Sequence, residues 1–380
     1  MSRNLQLDFF RGLFLIIITT NHFLSWHNVI HYFTYEFIGW VTAAEGFVFL
    51  SGLTAGLVYS RKLVEKGQSF IANAAKKRAW TIYKYHLGLF LLVTIILFSH
   101  PVMKDHWFHN YQEFKLIFHQ PVSAILLSCV LFYQPVYLDI LPMYAIYIWL
   151  LPFALKYFQR GYQGRVLLAS FLLYIIGSFD LLKPLFDNIE ILGQVDAGFF
   201  NLLSWQFLFN VGLFFGHLSY KNKTSSILQN KNLFYCAVAV SITLFILKNT
   251  ARHFDFLHFD FEFWTDKGNL RPLRLLNFFA LLSVVGYTAS KYKHWFTFKP
   301  ICYLGRYSLE VFALHIVLIV LLSPLKEYSN KFFAIKVSNY LHIYPLASLL
   351  LLFVLIPALF LAPLLKNSLK ERNLKLKPSV

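Results

Sequence analysis

Two ionisable side chains lie in apolar stretches near the start of the chain. His22 lies near the end of the run RGLFLIIITTNHF at 11–23, and Glu45 lies within AAEGFVFLSG at 43–52. A carboxylate beside an imidazole orients the ring and raises its basicity, an arrangement common in general base catalysis. The alternative is that each side chain only forms a hydrogen bond to a neighbouring helix. The surroundings of the two stretches decide between these interpretations.

Arg11 and His22 are predicted to share one face of the first helix. Eleven positions at 100° per residue bring them to within about 20° in rotation and separate them by about 16 Å along the axis. Asp8, three residues before Arg11, can form an ion pair with it on the neighbouring part of that face. The polar end of the run also includes Asn21. Because ionisable residues inside membrane helices are usually functional, this stripe favours a functional interpretation.

The composition indicates a polytopic, all-α membrane protein. The chain is 57% hydrophobic and 14% charged, whereas soluble domains are about 25% charged. A membrane orientation signal explains the net charge of +17 better than nucleic-acid binding does. Ten stretches are close to the length of about 20 residues that a membrane span needs. Their predicted bounds are 11–30, 40–59, 80–99, 138–156, 166–182, 202–219, 232–248, 272–290, 301–322 and 345–365.

The distribution of basic residues predicts the orientation. Ten spans place both termini on one face, and 24 of the 35 Lys and Arg residues lie on that face. The positive-inside rule makes it cytoplasmic, together with the basic tail 366–380, although the outer loop 248–274 carries five basic residues. The stretch 121–133 is too short for a span and is predicted to be interfacial or re-entrant. We expect one membrane domain over 1–380, with the first span retained.

No metal site or disulfide is expected. Cys129, Cys236 and Cys302 lie in or beside apolar stretches at unrelated spacings, which is typical of small buried side chains. The predicted outer loop 253–264, HFDFLHFDFEFW, alternates His or acidic residues with aromatic ones. It can be read as metal ligands, but an interfacial strand with one aromatic face is the simpler prediction, and such a face can stack on sugar rings.

Five stretches in order carry a resemblance to a known family. They are LDFFRG at 7–12, AAEGFVFLSG at 43–52, LSWQFLFNVGLFFG at 203–216, LRPLRLLNFFAL at 270–281 and LGRYSLEVFALH at 304–315. Together they resemble the OpgC family of membrane succinyltransferases, within the acyltransferase-three superfamily. The likeness extends from about residue 3 to residue 320.

The resemblance implies a ten-span enzyme of the bacterial inner membrane. It implies transfer of an acyl group from cytoplasmic acyl-CoA, the donor substrate, to a hydroxyl of a periplasmic glycan. In the OpgC family the group is succinyl and the acceptor is an osmoregulated periplasmic glucan. The superfamily motif of Arg, ten residues and His maps onto Arg11 and His22, and its acidic residue maps onto Glu45. No bound cofactor is expected, and the expected partners are the lipid bilayer, acyl-CoA and the glycan.

Acyl transfer to an alcohol assigns roles to the candidate residues. It needs a base for the hydroxyl, donors for the oxyanion and cations for the CoA phosphates. His22 is expected to be the base or a transient acyl carrier, and Arg11 to bind phosphate at the cytoplasmic mouth.

The remaining candidates are assigned to substrate binding, each with a structural alternative. The amides of Gln206 and Asn210 share a helix face beside Trp205, for oxyanion or sugar contacts or for helix–helix hydrogen bonds. Arg271 and Arg274 are placed to bind an acyl carboxylate or to extend toward the interface. Arg306 adds to the CoA site or takes part in capping and ion pairing.

Three other functions stay open from the sequence. An O-acetyltransferase acting on another surface glycan needs the same residues. A transporter or flippase would use Glu45 and His22 as a proton relay, and inverted repeats, which are not evident, would support it. A non-catalytic scaffold leaves the stripe on the first helix unexplained.

Overall fold

The protein is helical throughout nearly all of the described chain. The structure is a computed structural model that describes residues 4–181, 198–221, 223–250, 260–332, 334–338 and 340–375. A short antiparallel hairpin pairs β1, Ile335–Lys336, with β2, His342–Ile343. The helices, numbered in chain order, are α1 Leu5–Phe23, α2 Val29–Thr34, α3 Ala43–Ser99, α4 Pro101–Asn110, α5 Lys115–His119, α6 Pro121–Cys129, α7 Ile140–Gln159, α8 Gln163–Ser178, α9 Leu202–Tyr220, α10 Ser225–Leu228, α11 Lys231–Thr250, α12 Phe261–Thr265, α13 Pro272–Lys291, α14 Lys299–Arg306, α15 Ser308–Phe332, α16 Pro345–Leu350, α17 Ile356–Ala358 and α18 Leu361–Lys375.

Shorter helical turns join some of these helices. Two are 3₁₀ turns, Gln112–Phe114 and Lys293–Phe296, and the π-helical turn Leu351–Leu355 links α16 to α17.

The prediction of an all-α polytopic membrane protein is confirmed. By length and composition, six helices among the described residues can cross a membrane. They are Ala43–Ser99, Ile140–Gln159, Lys231–Thr250, Pro272–Lys291, Ser308–Tyr328 and Pro345–Ser368. The first of these overlaps two predicted spans, 40–59 and 80–99. The helices at the predicted spans 11–30, 166–182 and 202–219 are not among the six, so the count of ten stays a prediction.

Large apolar side chains face outward on the long helices. Phe353 is 73% exposed, Ile95 66% and Phe153 62%, whereas the charged Glu45 and Arg274 are buried. A soluble domain rarely exposes contiguous apolar surface on this scale, and a bilayer provides the apolar surroundings that such side chains need.

The chain forms two compact units. Unit 1 consists of Met1–Phe37, Ile95–His106 and Tyr292–Val380, and unit 2 of Ile38–Thr94 and Trp107–Lys291.

In unit 1, α1 packs closely on α14 at two glycines. A Cβ on Gly12 would lie 2.0 Å from the carbonyl oxygen of Ile301, and one on Gly305 would lie 1.8 Å from that of Asp8. No side chain fits at either position, and the backbones therefore touch. This contact fixes α1 in place, and α1 also packs against α15.

The predicted first span, 11–30, is not helical throughout, because its last seven residues lie beyond the end of α1. Asn4 caps the start of α1 by accepting hydrogen bonds from two backbone N–H groups, but the helix ends at Phe23 with Leu24 extended. Asn28 then caps α2 by accepting from the N–H of Ile30, which starts a separate short helix. His22 consequently lies in the last turn of α1 and not in the middle of a longer helix.

In unit 2, the small residues of the second predicted span pack α3 against α9. A Cβ on Gly52 or Gly56 would lie 2.1–2.2 Å from backbone oxygens of α9, and Gly212 and Gly216 approach α3 equally closely. Both helices thus present a Gly-xxx-Gly pair to the other, as membrane helices do where their backbones meet.

Three further predictions of local structure need correction or qualification, and a glycine separates two of the predicted spans. The predicted span 301–322 is divided, because Tyr307 leaves helical geometry between α14 and α15. The part of the 253–264 segment that is described belongs mainly to helix α12, not to a strand, and 251–259 lie outside the described residues. The 121–133 stretch contains the nine-residue helix α6, and its interfacial or re-entrant position stays a prediction. Gly67, with φ +80°, interrupts α3 between the predicted spans 40–59 and 80–99.

Candidate active site

In unit 1, two polar stripes meet on α1 and α15. Arg11 and His22 both lie in α1 and therefore share a face, as the sequence predicted. Ser308 and His315 are seven residues apart in α15, about two turns, and share a face as well. A guanidinium nitrogen of Arg11 donates to the hydroxyl of Ser308. The two helices are thus joined by polar contacts at one end of each stripe.

The other end of each stripe is a pair of histidines. Nδ1 of His22 lies 3.4 Å from Nε2 of His315, and the ring centroids are 5.6 Å apart with an interplanar angle of 26°. His315 is fully buried, and its Nδ1 lies within hydrogen-bond distance of the carbonyl oxygen of Phe312. This pair holds His22 against a second imidazole at the end of α1.

The other candidate residues of unit 1 have mainly structural contacts. Asn21 donates to the carbonyl oxygen of Thr34 (3.1 Å) and accepts from its hydroxyl (2.6 Å), so both ends of the amide tie α1 to the end of α2. Asp8 is buried in the first turn of α1, where its backbone lies against Gly305. Arg306 is exposed at the end of α14, with its guanidinium 5.6 Å from the ring of Tyr307.

In unit 2, Glu45 is held by Arg274. Oε1 of Glu45 accepts from the guanidinium of Arg274 at 2.7 Å, and Oε2 accepts from the N–H and the hydroxyl of Thr42 at 3.0 and 2.6 Å. Arg274 also donates from Nε to the carbonyl oxygen of Thr265. The two charged side chains are only 0% and 4% exposed. Both oxygens of Glu45 therefore have partners within unit 2, and Arg274, predicted to bind an acyl carboxylate, binds an internal one.

Arg271 has a different environment from Arg274. Its guanidinium lies 3.9 Å from the ring centroid of Phe263 and 5.1 Å from that of Phe179, and one nitrogen is 3.4 Å from a carboxylate oxygen of Asp180. Nε and Nη1 are buried without a hydrogen-bond partner among the described residues. A buried donor without an acceptor costs about 1–3 kcal/mol, so this site is suited to an additional anionic or carbonyl oxygen.

The predicted amides line a cavity of about 500 Å³ between α7, α8 and α9. Asn210 donates to Oε1 of Gln206 at 2.6 Å, as their spacing on one face predicted. The hydroxyl of Ser170 donates to the same oxygen. Trp205 is fully buried and does not line this cavity, and its indole N–H donates to the carbonyl oxygens of Lys267 and Gly268. Gln206 also donates to the carbonyl oxygens of Ser170 and Leu203, so the amides join α9 to α8 as well as line the cavity. Trp205 anchors the chain before α13.

Several partners of the candidate residues were not predicted from the sequence. His315 had a usable signal, since it is a polar residue in an apolar span and ends the stretch LGRYSLEVFALH. Its position seven residues after Ser308 places both on one helix face. Thr42 and Ser170 gave no such signal, because hydroxyl residues are common in membrane helices. In the part of the chain that the structure describes, no three or more His, Cys, Asp or Glu side chains group as metal ligands.

The family model of the OpgC protein matches residues 3–358. The chain belongs to the OpgC family. No curated protein and no solved structure matches it. The OpgC match includes the α1 and α15 stripes as well as the Glu45–Arg274 pair. Membership in the OpgC family supports a glucan-modifying acyltransferase role in general terms, in a membrane protein.

Proposed function

We propose that the protein is an O-acyltransferase of a bacterial inner membrane. It moves a succinyl group from cytoplasmic succinyl-CoA to a hydroxyl of an osmoregulated periplasmic glucan. The observation that carries this proposal is the stripe on α1, which places Arg11 and His22 on one helix face, with the imidazole against His315. OpgC family membership supports the same reaction class.

His22 acts as the general base in the proposed reaction. The imidazole takes the proton of the acceptor hydroxyl as its oxygen attacks the thioester carbonyl. The carbon–sulfur bond then breaks, and the proton passes from His22 to the leaving thiolate of CoA. In a variant of the mechanism, His22 attacks the thioester first and carries the acyl group to the hydroxyl. In both versions the products are free CoA and the glucan ester.

Arg11 binds the phosphates of the donor in this proposal. Eleven residues of α-helix separate it from His22, which corresponds to about 16 Å along the axis. A pantetheine arm has a comparable length, so CoA phosphates at Arg11 place the thioester near the imidazole. The guanidinium of Arg11 donates to the hydroxyl of Ser308, a neutral partner that a phosphate can replace. Arg306 and Asp8 remain candidates at the same end of the helices.

Arg271 is proposed to bind the free carboxylate of the succinyl group. This role is supported by its two donors that have no partner among the described residues, and by its position beside Phe179 and Phe263. Arg274 does not share it, because its guanidinium is used by Glu45. Glu45 is accordingly proposed to fix Arg274 instead of orienting the base.

Gln206 and Asn210 are proposed to contact sugar hydroxyls or the oxyanion. Their amides line a cavity of about 500 Å³, within the size range of ligand sites.

Two alternatives make different predictions. An O-acetyltransferase acting on another glycan would use His22 in the same way but would not need Arg271. A transporter would need Glu45 to release and bind protons, and both oxygens of this carboxylate are engaged by Arg274 and Thr42.

Purified protein, radiolabelled succinyl-CoA and periplasmic glucan test the proposal. We expect label in the glucan and stoichiometric release of free CoA. Label transfer from acetyl-CoA alone would instead favour the acetyltransferase. Absence of any transfer, together with proton-coupled uptake of glucan into proteoliposomes, would favour the transporter.

A further inference from the structure

His315 is a buried titratable residue to which the reaction above gives no role. Its side chain is fully buried in α15, and its two ring nitrogens have different partners. Nδ1 faces the carbonyl oxygen of Phe312, one turn earlier in the same helix, and Nε2 faces Nδ1 of His22 at 3.4 Å. The contact between the histidines is long for a hydrogen bond, as contacts in catalytic sites often are before substrate binds.

The partners of His315 determine where its proton lies. A carbonyl oxygen can only accept a hydrogen bond, so Nδ1 of His315 carries the proton that it donates to Phe312. In the neutral ring Nε2 is then an acceptor. The nitrogen facing it, Nδ1 of His22, must be the donor. The lone pair of neutral His22 is therefore on Nε2.

We infer that His315 is a positioning residue that fixes the tautomer and orientation of His22. This inference rests on the proposed function, in which His22 is the base or the acyl carrier. A base and an acyl carrier both need an unprotonated nitrogen directed at the substrate. By accepting from Nδ1 of His22, His315 leaves Nε2 as that nitrogen. In Ser-His-Asp triads a carboxylate performs this task from the Nδ1 side.

His315 differs from a carboxylate partner because its neutral ring carries no negative charge. A carboxylate stabilises the imidazolium strongly, whereas a neutral imidazole supplies only a hydrogen bond. Glu45, the carboxylate predicted for the orienting role, has both oxygens bound by Arg274 and Thr42. His315 thus holds the ring without adding a negative charge beside it.

Two substitutions of similar polarity separate positioning from simple packing. In His315→Gln, the amide oxygen can take the place of Nε2 and accept from His22. In His315→Asn, the shorter amide can reach only the position of Nδ1, so the acceptor facing His22 is lost. We expect kcat to fall about 10- to 100-fold in the Asn variant, which is the usual effect of replacing a residue that orients a functional histidine. KM for succinyl-CoA should not change. The Gln variant should retain most of the activity.

Two controls keep the outcomes distinct. Both variants should elute as folded protein with the thermal midpoint of the wild type. In a His22→Ala background, His315→Asn should cause no further loss, because the two residues act as a unit. Equal activity of the Gln and Asn variants, or a loss confined to KM, would overturn the assignment.

A spectroscopic measurement tests the inference independently of activity. In protein labelled with ¹⁵N at histidine, correlation spectra should show His22 protonated at Nδ1 and not at Nε2. The His315→Asn variant should show a mixture of the two tautomers. If the wild-type protein transfers no acyl group, the proposed function fails, whereas a wild-type spectrum with the proton on Nε2 overturns the role of His315.

Discussion

Replacing Glu45 with Gln removes one charge from a buried ion pair and changes little else. Gln has nearly the same shape, and its amide oxygen can still accept from Thr42. Arg274, whose side chain is only 4% exposed, then keeps a positive charge without its counter-ion. Removing one partner of a buried pair costs about 3–5 kcal/mol, because the remaining charge stays desolvated. We expect a loss of this size in the free energy of unfolding.

A double-mutant cycle shows how much of this loss comes from the pair. Arg274→Gln should also destabilise the protein, while the double substitution should cost clearly less than the two single losses added together. The assay is equilibrium unfolding of purified protein in mixed micelles with increasing SDS. The exposed pair Arg61–Glu65 has the same 2.7 Å distance, with side chains 47% and 45% exposed, and provides the matched control. Glu65→Gln should have no measurable effect. Additive single losses, or equal effects of Glu45→Gln and Glu65→Gln, would refute the reasoning.

Three other predictions concern the acyl group, the orientation and the packing of α1. Arg271→Gln should lower kcat/KM for succinyl-CoA about 10- to 150-fold, because a charge-assisted hydrogen bond is lost, and should leave kcat/KM for acetyl-CoA unchanged. Equal losses with both donors would show that Arg271 does not bind the acyl carboxylate. The orientation is tested with the three native cysteines replaced by Ser. An impermeant thiol reagent added to intact cells should label Lys104→Cys, on the predicted outer face, and spare Lys66→Cys, on the predicted cytoplasmic face. The reverse pattern would contradict the proposed orientation. Gly12→Ala should lower the free energy of unfolding by at least about 1–3 kcal/mol, because its Cβ would lie 2.0 Å from a backbone oxygen. Gly88→Ala is the control and should be tolerated, since a Cβ there would have nothing within 4 Å. Equal stability of the two variants would argue against the close contact of α1 with α14.

The sequence predicted those features that depend on composition and helical period. The membrane class follows from the apolar stretches, and Arg11 and His22 share a face because eleven residues are close to three whole turns. Gln206 and Asn210 meet for the same reason, since four residues are about one turn. Each of these relations lies within one helix, where geometry is fixed by the residue count.

The sequence did not predict which helix supplies the partner of each candidate residue. Glu45 binds Arg274 across 229 positions of sequence, and His22 contacts His315 across 293. Nothing in the spacing of one helix specifies the neighbouring helix or its rotation. The end of α1 at Phe23 was missed for a local reason, because the capping side chain of Asn28 was not weighed against the apolar run.

The most direct test of the proposed function is acyl transfer by the His22→Ala variant. The assay measures transfer of radiolabelled succinyl from succinyl-CoA to periplasmic glucan by purified, folded protein, with succinyl-CoA binding measured separately. We expect binding to persist and the transfer rate to fall about 100- to 10,000-fold, the usual contribution of a general base. Transfer at a near-normal rate by His22→Ala would contradict the account, both for a base and for an acyl carrier at this position.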